Sequence, residues 1–527
     1  MSARPLTEGF APYVWAATAE EVAARHGLDP AQVIRFDANV PPLPGVPQVP
    51  LAASFARLNE YPEGTYRELR EAAASYAGLQ PEQVVVGAGA DDLIGLVART
   101  FLAPGRKAYV REPTYGLYAI ASAIEGAEVV DDPEEAEVVW VCNPENPSGA
   151  LRDPADLAAL ARSLADAVVA VDEAYVEYAG PGASVVPLIA EAPNLIAIRT
   201  LSKAFGLAAL RVGFALASPE VARELTERRA PGPISAPAAR IGAAALRDPQ
   251  LGDVEATIAE RERLRAALAA AGYDCPPGAA NFVLVRLDDA EDVADGLERQ
   301  GLVVRRFPGA IRVTVRLPAE NDRLLAALGV EAPAPRVRSA LVVRTTTETA
   351  LRVSLALDGQ GRARVATGIG FLDHLLAQLA FHGGLDLELL ASGDLDVDEH
   401  HTVEDVLAAL GDALDQALGR REGLARFGSA TVPMDEAQAS AAVDLVRRPH
   451  AEVALAFRGD RVGGLALTLL PHALDRLAHQ GCFTLHVESA GDDDHHIAEA
   501  AFKAIGRAFG DACARDGGGV RSTKGAA

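Results

Sequence analysis

The sequence predicts an α/β protein of two unlike parts, an open-sheet part followed by a duplicated segment of strands and helices. Three observations support this prediction. Short β-rich runs alternate with Ala/Leu-rich helical stretches between about residues 84 and 217, and the last third of the chain contains an internal repeat. Of the 11 histidines, only His26 precedes residue 374. The two parts therefore carry different chemistry.

Composition excludes several classes of protein. The formal net charge of −24 argues against a nucleic-acid or anionic-membrane partner, because such surfaces need an excess of Lys and Arg. No apolar run reaches the ~18 residues that cross a bilayer, and the first residues do not resemble a secretory signal. The four cysteines lie far apart and form no CxxC pair, which excludes a disulfide framework and a thiolate zinc site. We expect a cytoplasmic protein.

A proline-rich seam, Glu331-Ala-Pro-Ala-Pro-Arg336, interrupts the helical pattern before it. Since 527 residues suffice for three or four domains, we place the main boundary at this seam. The predicted divisions are a first part over 1–331, a linker over 332–337 and a second part over 338–527.

The first part contains five apolar β-rich runs, and polar residues collect after them, where open α/β sheets bind ligands. The predicted strands are Val84–Val86, Lys107–Val110, Glu137–Cys142, Ala167–Val171 and Leu195–Ile198. The loop Gly87-Ala88-Gly89-Ala90-Asp91 follows the first strand and opens an apolar helix. Its backbone N–H groups could hold a phosphate, although the same pattern suits an ordinary tight turn.

The polar residues after the later strands supply groups that one cofactor needs together. Asp172 ends a strand, and a carboxylate near a pyridine nitrogen would keep that ring protonated. Lys203 lies in a small-residue turn, where its amine could form a Schiff base with an aldehyde. Each residue alone also suits a purely structural role: the aspartate could cap a helix, and the lysine could simply be solvated. Further candidates are Asn146 and Tyr175 for a phenolic ring oxygen, Ser202 and Arg211 for a phosphate, and Tyr115 for ring stacking.

The order of these motifs over roughly residues 1–330 resembles the fold-type I PLP aminotransferases, and within them histidinol-phosphate aminotransferase. The motifs are Tyr61-Pro, Gly87-Ala-Gly-Ala-Asp91, Pro113-Thr-Tyr115, Asn143-Pro-Glu-Asn-Pro-Ser-Gly149, Asp172-Glu-Ala-Tyr175, Ser202-Lys-Ala-Phe-Gly-Leu and Arg211-Val-Gly. The resemblance implies a large mixed-sheet domain over about 40–240 and a small domain built from the N-terminal segment and about 241–331.

The same resemblance implies pyridoxal 5'-phosphate (PLP) as cofactor, with Lys203 as the Schiff-base lysine and Asp172 as the pyridinium partner. It also implies that Asn146 and Tyr175 bind the ring oxygen, that Tyr115 stacks on the ring, and that Ser202, Arg211 and the Gly87–Asp91 loop hold the phosphate. Tyr61 would reach the cofactor of the neighbouring subunit, which implies a dimer. Arg305 and Arg312 would bind the phosphate of the substrate.

Two positions depart from that family. Ala90-Asp-Asp92 stands where the family usually has Ser-Asp-Glu, and the connection between Arg305 and Arg312 is short. These departures concern the substrate rather than the cofactor chemistry. A related PLP family that decarboxylates an amino-acid phosphate on nearly the same motifs therefore remains an alternative.

The second part contains the same metal-ligand pattern twice. His374 is followed by His400-His401-Thr-Val-Glu404, and His472 is followed by His495-His496-Ile-Ala-Glu499, each pair opening a helix after a β-rich run. Residues three and four apart on a helix lie close together, so these side chains could share ions. Six His and two Glu divide into two sites of three His and one Glu, which suits Mn²⁺ or a similar divalent ion with open positions for substrate. The predicted repeats are 338–428 and 429–527.

This part resembles imidazoleglycerol-phosphate dehydratase. The motifs are Arg344-Thr-Thr-Thr-Glu-Thr349, Thr367-Gly-Ile-Gly-Phe-Leu-Asp-His374, Arg426-Phe-Gly, Pro433-Met-Asp-Glu436 and Ser522-Thr-Lys-Gly, besides the two HHxxE pairs. The resemblance implies a duplicated βα sandwich that assembles into a symmetric shell with metals between subunits. The implied ligands are His374, His400, His401, Glu404, His472, His495, His496 and Glu499. The implied phosphate-binding residues are Arg426, Arg448, Ser522 and Lys524, and Glu348 is a candidate for proton transfer.

One departure concerns the second pair, where Gly491-Asp-Asp-Asp-His-His496 replaces the family's Gly-x-Asn-x-His-His. The two resemblances support each other, because the ketone made by such a dehydratase is the substrate that the aminotransferase would aminate with glutamate. We therefore predict a bifunctional enzyme of histidine biosynthesis that uses PLP and two Mn²⁺ ions per chain on small phosphorylated imidazoles. The alternative is that the second part is a non-catalytic assembly scaffold.

Overall fold

The computed structural model describes residues 16–30, 33–41, 58–249, 251–331, 333 and 338–517. The chain separates into two compact units, which comprise Met1–Arg316 with Glu320–Pro333, and Leu317–Ala319 with Ala334–Ala527. Among the described residues, no helix combines the length and the apolar character that a membrane span requires.

The N-terminal unit is a mixed α/β structure. Its strands are β1 (Ile34–Arg35), β2 (Val84–Gly87), β3 (Lys107–Val110), β4 (Glu128–Val130), β5 (Val138–Cys142), β6 (Val168–Asp172), β7 (Leu195–Thr200), β8 (Gly213–Ala217), β9 (Phe282–Arg286), β10 (Leu302–Val303), β11 (Arg305–Phe307) and β12 (Ala310–Thr314). Its helices are α1 (Ala19–His26), α2 (Arg67–Ala77), α3 (Gly89–Phe101), α4 (Leu117–Ile124), α5 (Pro154–Ser163), α6 (Pro219–Arg228), α7 (Ala236–Arg247), α8 (Gly252–Ala270), α9 (Ala290–Glu298) and α10 (Pro318–Ala327).

The large sheet has seven strands in the order β2-β8-β7-β6-β5-β3-β4. Strands β3 to β7 pair in parallel, and β8 runs antiparallel between β7 and β2. Every residue of β5 to β8 is buried, which explains why these strands read as continuous apolar runs rather than alternating ones. Helices α2, α5 and α7 cover one face, and α3, α4 and α6 cover the other.

All five predicted strands are present within a residue or two of their expected bounds. The fold-class prediction is confirmed. Strands β4 and β8 were not predicted: β4 is a short edge strand, and β8 follows the turn that contains Lys203 as the one antiparallel member of the sheet.

A smaller layer brings together the N-terminal segment and the chain after α7. Strand β1 pairs in parallel with β10, and β11, β12 and β9 form an antiparallel sheet. Ile34 and Phe36 are buried in one core with Leu264 of α8 and Leu324 of α10. This packing places residues 34–40 beside the hairpin β11–β12.

The C-terminal unit consists of two copies of one arrangement. Its strands are β13 (Ser339–Thr345), β14 (Thr349–Ala356), β15 (Ala363–Ala366), β16 (Asp386–Gly393), β17 (Phe427–Met434), β18 (Ala437–Asp444), β19 (His450–Leu455), β20 (Arg461–Val462), β21 (Leu465–Ala466) and β22 (Thr484–Ala490). Its helices are α11 (Gly370–Gly383), α12 (His400–Leu418), α13 (Leu469–Gln480) and α14 (Asp494–Cys513).

The two four-stranded sheets have the same topology, β13-β14-β16-β15 and β17-β18-β22-β19, each with two antiparallel pairs and one parallel pair. Helices of both repeats share a single hydrophobic core. Helix α11 packs against α14, and α12 packs against α13, so each helix pair contains one member from each repeat. A Cβ at Gly506 would lie 2.4 Å from the carbonyl oxygen of Leu379, which shows how closely α14 approaches α11. Strand β17 spans the position, between 428 and 429, at which the sequence divides the repeats.

Candidate active sites

A cavity of about 1000 Å³ lies in the N-terminal unit at the carboxyl ends of β5, β6 and β7. Cys142, Asp172 and Thr200, the last residues of these strands, all line it. Carboxyl ends of parallel strands are where open α/β sheets bind their ligands. The predicted cofactor residues are therefore expected to line this cavity.

Asp172 is buried at the end of β6 and has fixed hydrogen-bond partners. The hydroxyl of Tyr118 donates to Oδ2 at 2.8 Å, and the backbone N–H of Ala174 donates to Oδ1 at 3.0 Å. Burial raises the pKa of Asp172 to about 6, although both hydrogen bonds act to lower it. A positively charged ligand beside this carboxylate would restore its ionised form.

Lys203 lies in the turn after β7 and lines the same cavity. Burial lowers the pKa of its amine to about 8, and the nearby cation of Arg312 acts in the same direction. Its Nζ lies 5.6 Å from the centre of the Tyr175 ring. The depressed pKa gives Lys203 a larger neutral, nucleophilic fraction at neutral pH than an exposed lysine has.

The predicted phosphate-binding residues meet at the start of α3. Arg211 Nη2 lies 3.0 Å from Asp91 Oδ2, and Arg211 Nη1 lies 3.5 Å from the hydroxyl of Ser202. Gly89 has a positive φ of 83°, and a Cβ there would lie only 2.6 Å from Arg211 Nη2, so a side chain at this position would block the arginine. Of the loop residues predicted to contact phosphate, Ala90 and Asp91 line the cavity; Gly87, Ala88 and Gly89 are not among its lining residues.

The predicted ring contacts are also brought together. Tyr115 lines the cavity and its hydroxyl donates to Asp91 at 3.1 Å. The side-chain oxygen of Asn146 accepts a hydrogen bond from Arg312 at 2.5 Å, and the hydroxyl of Tyr175 accepts one from the side-chain amide of Asn39 at 3.0 Å. Asn39 was not predicted, because its segment precedes the sheet and carries no strand or turn signal for a site.

The two arginines predicted to bind the substrate occupy adjacent strands. Arg305 of β11 and Arg312 of β12 are direct partners in the antiparallel register, and both line the cavity. The short connection seen in the sequence is therefore the turn of a β-hairpin. Tyr61, by contrast, is 98% exposed and is not among the residues lining this cavity.

The C-terminal unit forms two clusters of potential metal ligands. One cluster contains His374, His495 and Glu499, and in it all ligand atoms lie within 4.8 Å of one another. The other contains His400, Glu404 and His472 and meets the same limit. Each cluster takes one histidine from the first helix of one repeat and a His–Glu pair from the second helix of the other. The packing of α11 on α14 and of α12 on α13 produces this exchange.

The second histidine of each pair lies outside these clusters. His401 Nδ1 lies 3.1 Å from Asp394 and 3.8 Å from Glu348, and His496 Nδ1 lies 2.9 Å from Glu436. Within one chain the structure thus places two His and one Glu together at each cluster, not the three His and one Glu expected. A spacing of three residues also brings side chains close on a helix, so helix geometry alone does not exclude the second histidine. Its ring instead contacts acidic residues outside its own helix.

Aspartates position the first turns that carry the HH pairs. Asp398 accepts from the backbone N–H of His400 at 2.8 Å, and Asp493 accepts from that of His495 at 2.7 Å. The aspartate-rich loop Gly491–Asp494 thus supplies an N-cap for α14. Its departure from the family pattern leaves the ligand positions intact.

Two basic residues beside the clusters were not predicted. Lys503 Nζ lies 2.7 Å from Glu499, and Arg476 Nε lies 3.0 Å from Glu404. Burial acts to raise the pKa of Glu499, but hydrogen bonds from Lys503 and His374 outweigh it and lower the pKa to about 2. The i,i+4 spacing of Glu499 and Lys503 was a sequence signal that could have revealed this pair.

The remaining candidate residues of this unit have diverse surroundings. Arg426 forms a bidentate ion pair with Asp444, at 2.7 and 3.0 Å, while Arg448 and Glu348 are exposed. Ser522 and Lys524 lie outside the described residues.

Comparisons with known proteins divide the chain in the same way. The family model for aminotransferase class I and II matches residues 31–328, and that for imidazoleglycerol-phosphate dehydratase matches residues 367–509. Histidinol-phosphate aminotransferase of Aeromonas hydrophila is 40% identical over 315 residues, which cover 53% of this chain and 88% of that protein. Imidazoleglycerol-phosphate dehydratase of Magnetococcus marinus is 50% identical over 192 residues, or 36% of this chain and 97% of that protein.

The chain belongs to both families. A solved structure supports the assignment of the N-terminal half: histidinol-phosphate aminotransferase from Sinorhizobium meliloti in complex with pyridoxal-5'-phosphate has a TM-score of 0.54 and 25% identity, and the match covers 61% of this chain and 97% of that one. The chain is thus an enzyme that joins an aminotransferase half to a dehydratase half.

The aminotransferase cavity fits a PLP cofactor on its own geometry. It offers the buried carboxylate of Asp172 and the amine of Lys203, whose pKa is lowered. It also offers Arg211 at the start of α3, where a side chain in place of Gly89 would block the arginine. The chain has only four lysines, Lys107, Lys203, Lys503 and Lys524. Of the three lysines within the described residues, Lys203 alone lines the cavity. The dehydratase half fits divalent metals, because each cluster offers imidazole and carboxylate donors at ligating separations.

Proposed function

We propose that this chain is a bifunctional enzyme of histidine biosynthesis. Its dehydratase half would convert imidazoleglycerol phosphate into imidazole-acetol phosphate, and its aminotransferase half would convert that ketone, with glutamate as amino donor, into histidinol phosphate. The observation that carries the proposal is the presence, in one chain, of sites from two families in which the product of one reaction is the substrate of the other.

In the aminotransferase half, we assign the cofactor PLP to Lys203, Asp172 and the phosphate site formed by Ser202, Arg211 and the start of α3. Bound PLP supplies an electron sink that stabilises negative charge at the substrate carbon. Asp172, hydrogen-bonded by Tyr118, would hold the proton on the pyridine nitrogen. The Nζ of Lys203, with its pKa of about 8, is suited to accept a proton from the substrate carbon and return it.

The arginine pair fits an anionic, phosphorylated substrate. Arg305 and Arg312 project from adjacent strands into the cavity and can form charge-assisted hydrogen bonds with phosphate or carboxylate oxygens. Tyr61, exposed in the single chain, would contribute to the cofactor site of a second subunit. We therefore propose a dimer through this half.

In the dehydratase half, we propose two Mn²⁺ ions per chain held by all eight predicted ligands. The clusters supply three of these ligands to each ion, and His401 and His496, which lie outside the clusters, would complete sites on neighbouring copies in a symmetric shell. Divalent ions beside the imidazole ring supply positive charge that eases removal of the carbon-bound proton and expulsion of hydroxide. Glu348 would move that proton, and Arg426, Arg448, Ser522 and Lys524 would bind the phosphate.

We place this enzyme in the cytoplasm. One alternative for the aminotransferase half is decarboxylation of an amino-acid phosphate, which would release CO₂ without consuming glutamate. The alternative for the dehydratase half is a non-catalytic assembly scaffold, which would not require bound metal.

Paired variants test the proposal, because each should remove one activity only. Lys203→Ala should abolish amination of imidazole-acetol phosphate and leave dehydration intact, whereas Glu404→Gln should abolish dehydration and leave amination intact. Reduction with borohydride followed by peptide mapping should place PLP on Lys203 among the four lysines. Amination by Lys203→Ala at the parent rate, or dehydration by metal-free protein, would contradict the assignment.

A further inference from the structure

Glu145 is a half-buried carboxylate beside the cofactor cavity with no part in the chemistry described above. It lies in the loop after β5, between the cavity residues Cys142 and Asn146, and is not itself among the residues lining the cavity. Its backbone is fixed at both ends: the Glu145 N–H donates to Ala150 at 2.8 Å, and the Gly149 N–H donates to the Glu145 carbonyl at 2.7 Å.

One carboxylate oxygen of Glu145 joins two separate loops. The hydroxyl of Thr114 donates to Oε1 at 2.6 Å, and the backbone N–H of Asn146 donates to the same atom at 3.0 Å. Thr114 immediately precedes Tyr115, the proposed stacking residue, and Asn146 is a proposed ligand of the ring oxygen. The two segments that carry Tyr115 and Asn146, the residues expected to contact the cofactor ring, are therefore linked through Oε1 of Glu145.

Asn146 is held at two points by different groups. Glu145 binds its backbone, while Arg312 donates to its side-chain oxygen at 2.5 Å. A substrate anion that binds Arg312 would compete for that guanidinium and weaken its hold on the Asn146 side chain. The backbone link to Glu145 would persist, because Glu145 is not among the residues that line the cavity.

We propose that Glu145 is a positioning residue, which sets the distance between the stacking ring of Tyr115 and the amide of Asn146 and thereby the fit of the PLP ring. This inference rests on the proposed placement of the cofactor. Burial raises the pKa of Glu145 to about 7, so the link must work with both the ionised and the neutral carboxyl. The property required at Oε1 is an acceptor of two hydrogen bonds, not a full negative charge.

Four single variants of the full chain test this proposal. Glu145→Ala removes the acceptor, Glu145→Gln keeps an acceptor oxygen without the charge, and Thr114→Val removes one of the two donors. The matched control is Glu112→Ala. Exposed Glu112 also accepts from Thr114, from its backbone N–H at 3.1 Å, but does not reach Asn146. The measurements are the Kd for PLP, the visible spectrum of the bound cofactor and the thermal midpoint of the cofactor-free protein.

Glu145→Ala removes the acceptor of both hydrogen bonds, so we expect it to weaken PLP binding about tenfold and to shift the visible band. Thr114→Val should show a smaller effect of the same kind, and Glu145→Gln and Glu112→Ala should stay within about threefold of the parent. Equal losses in Glu145→Gln and Glu145→Ala would overturn the proposal, as would a fall in thermal midpoint without change in Kd or spectrum. A parent chain that binds no PLP would overturn the proposed function together with this inference.

Discussion

Replacing Lys203 by methionine should stabilise the cofactor-free aminotransferase half while abolishing transamination. Burial lowers the pKa of Lys203 from 10.5 to about 8, so the folded state holds the lysine proton less tightly than the unfolded state does. At ~1.4 kcal/mol per pKa unit, this corresponds to roughly 3 kcal/mol of destabilisation at pH 7. Because the side chain lines the cavity and keeps some contact with solvent, that value is an upper limit.

The pH dependence gives the sharper test. A lowered lysine pKa means that the parent loses stability as pH falls from 10.5 through about 8, whereas the methionine variant does not. The pH-dependent part of the difference in free energy of unfolding should therefore be largest below pH 8 and fall to nearly zero above pH 10.5. Urea unfolding followed by tryptophan fluorescence reports on the correct half, since both tryptophans, Trp15 and Trp140, lie in it.

The control for this experiment is Lys107→Met. Lys107 is a partly exposed lysine whose pKa is raised by its hydrogen bond to Glu135, so its replacement should not stabilise the protein at any pH. If Lys203→Met leaves the stability at pH 7 unchanged, or if the difference from the parent does not vary between pH 7 and 10, the cavity lysine is not electrostatically strained. The argument for its reactivity would then fail.

Three further predictions concern residues around the two sites. Tyr118→Phe should raise the pKa of Asp172 and lower the kcat of transamination about tenfold, with a shifted cofactor band, because Asp172 loses one hydrogen bond; an unchanged kcat and spectrum would contradict the role of this pair. His374→Ala should remove about half of the bound manganese and all dehydratase activity, whereas His382→Ala should change neither; elemental analysis and activity assays decide this. His496→Ala should also lower the manganese content about twofold and reduce the assembly size in light scattering, although it leaves the cluster within each chain intact. Unaltered metal content would contradict the proposal that copies share this ligand.

The chemistry of the cavity could be predicted from the sequence because it depends on residue types at the ends of buried strands. Asp172, Tyr115 and Lys203 each follow or end an apolar run, and the sheet brings those ends together. Tyr118 could not be found in this way. It is 54 residues from Asp172 along the chain, and only the packing of α4 on the sheet aligns its hydroxyl with the carboxylate.

The metal clusters show a similar limit. The repeat identified the ligand types, but the period of a helix alone does not determine which histidine of each pair joins the glutamate in its own chain. That choice depends on which helix packs alongside. Helix α11 places His374 beside His495, and α13 places His472 beside His400. These partners are 121 residues apart in one cluster (495 − 374) and 72 in the other (472 − 400), so the sequence does not reveal the exchange between repeats.

The central claim is that one chain performs two consecutive reactions, and a single conversion tests it. Purified protein supplied with imidazoleglycerol phosphate, glutamate, PLP and Mn²⁺ should form histidinol phosphate and 2-oxoglutarate in equal amounts. Imidazole-acetol phosphate should accumulate when glutamate is omitted. If the complete mixture yields no histidinol phosphate although the protein contains bound PLP and manganese, the account of this chain is wrong.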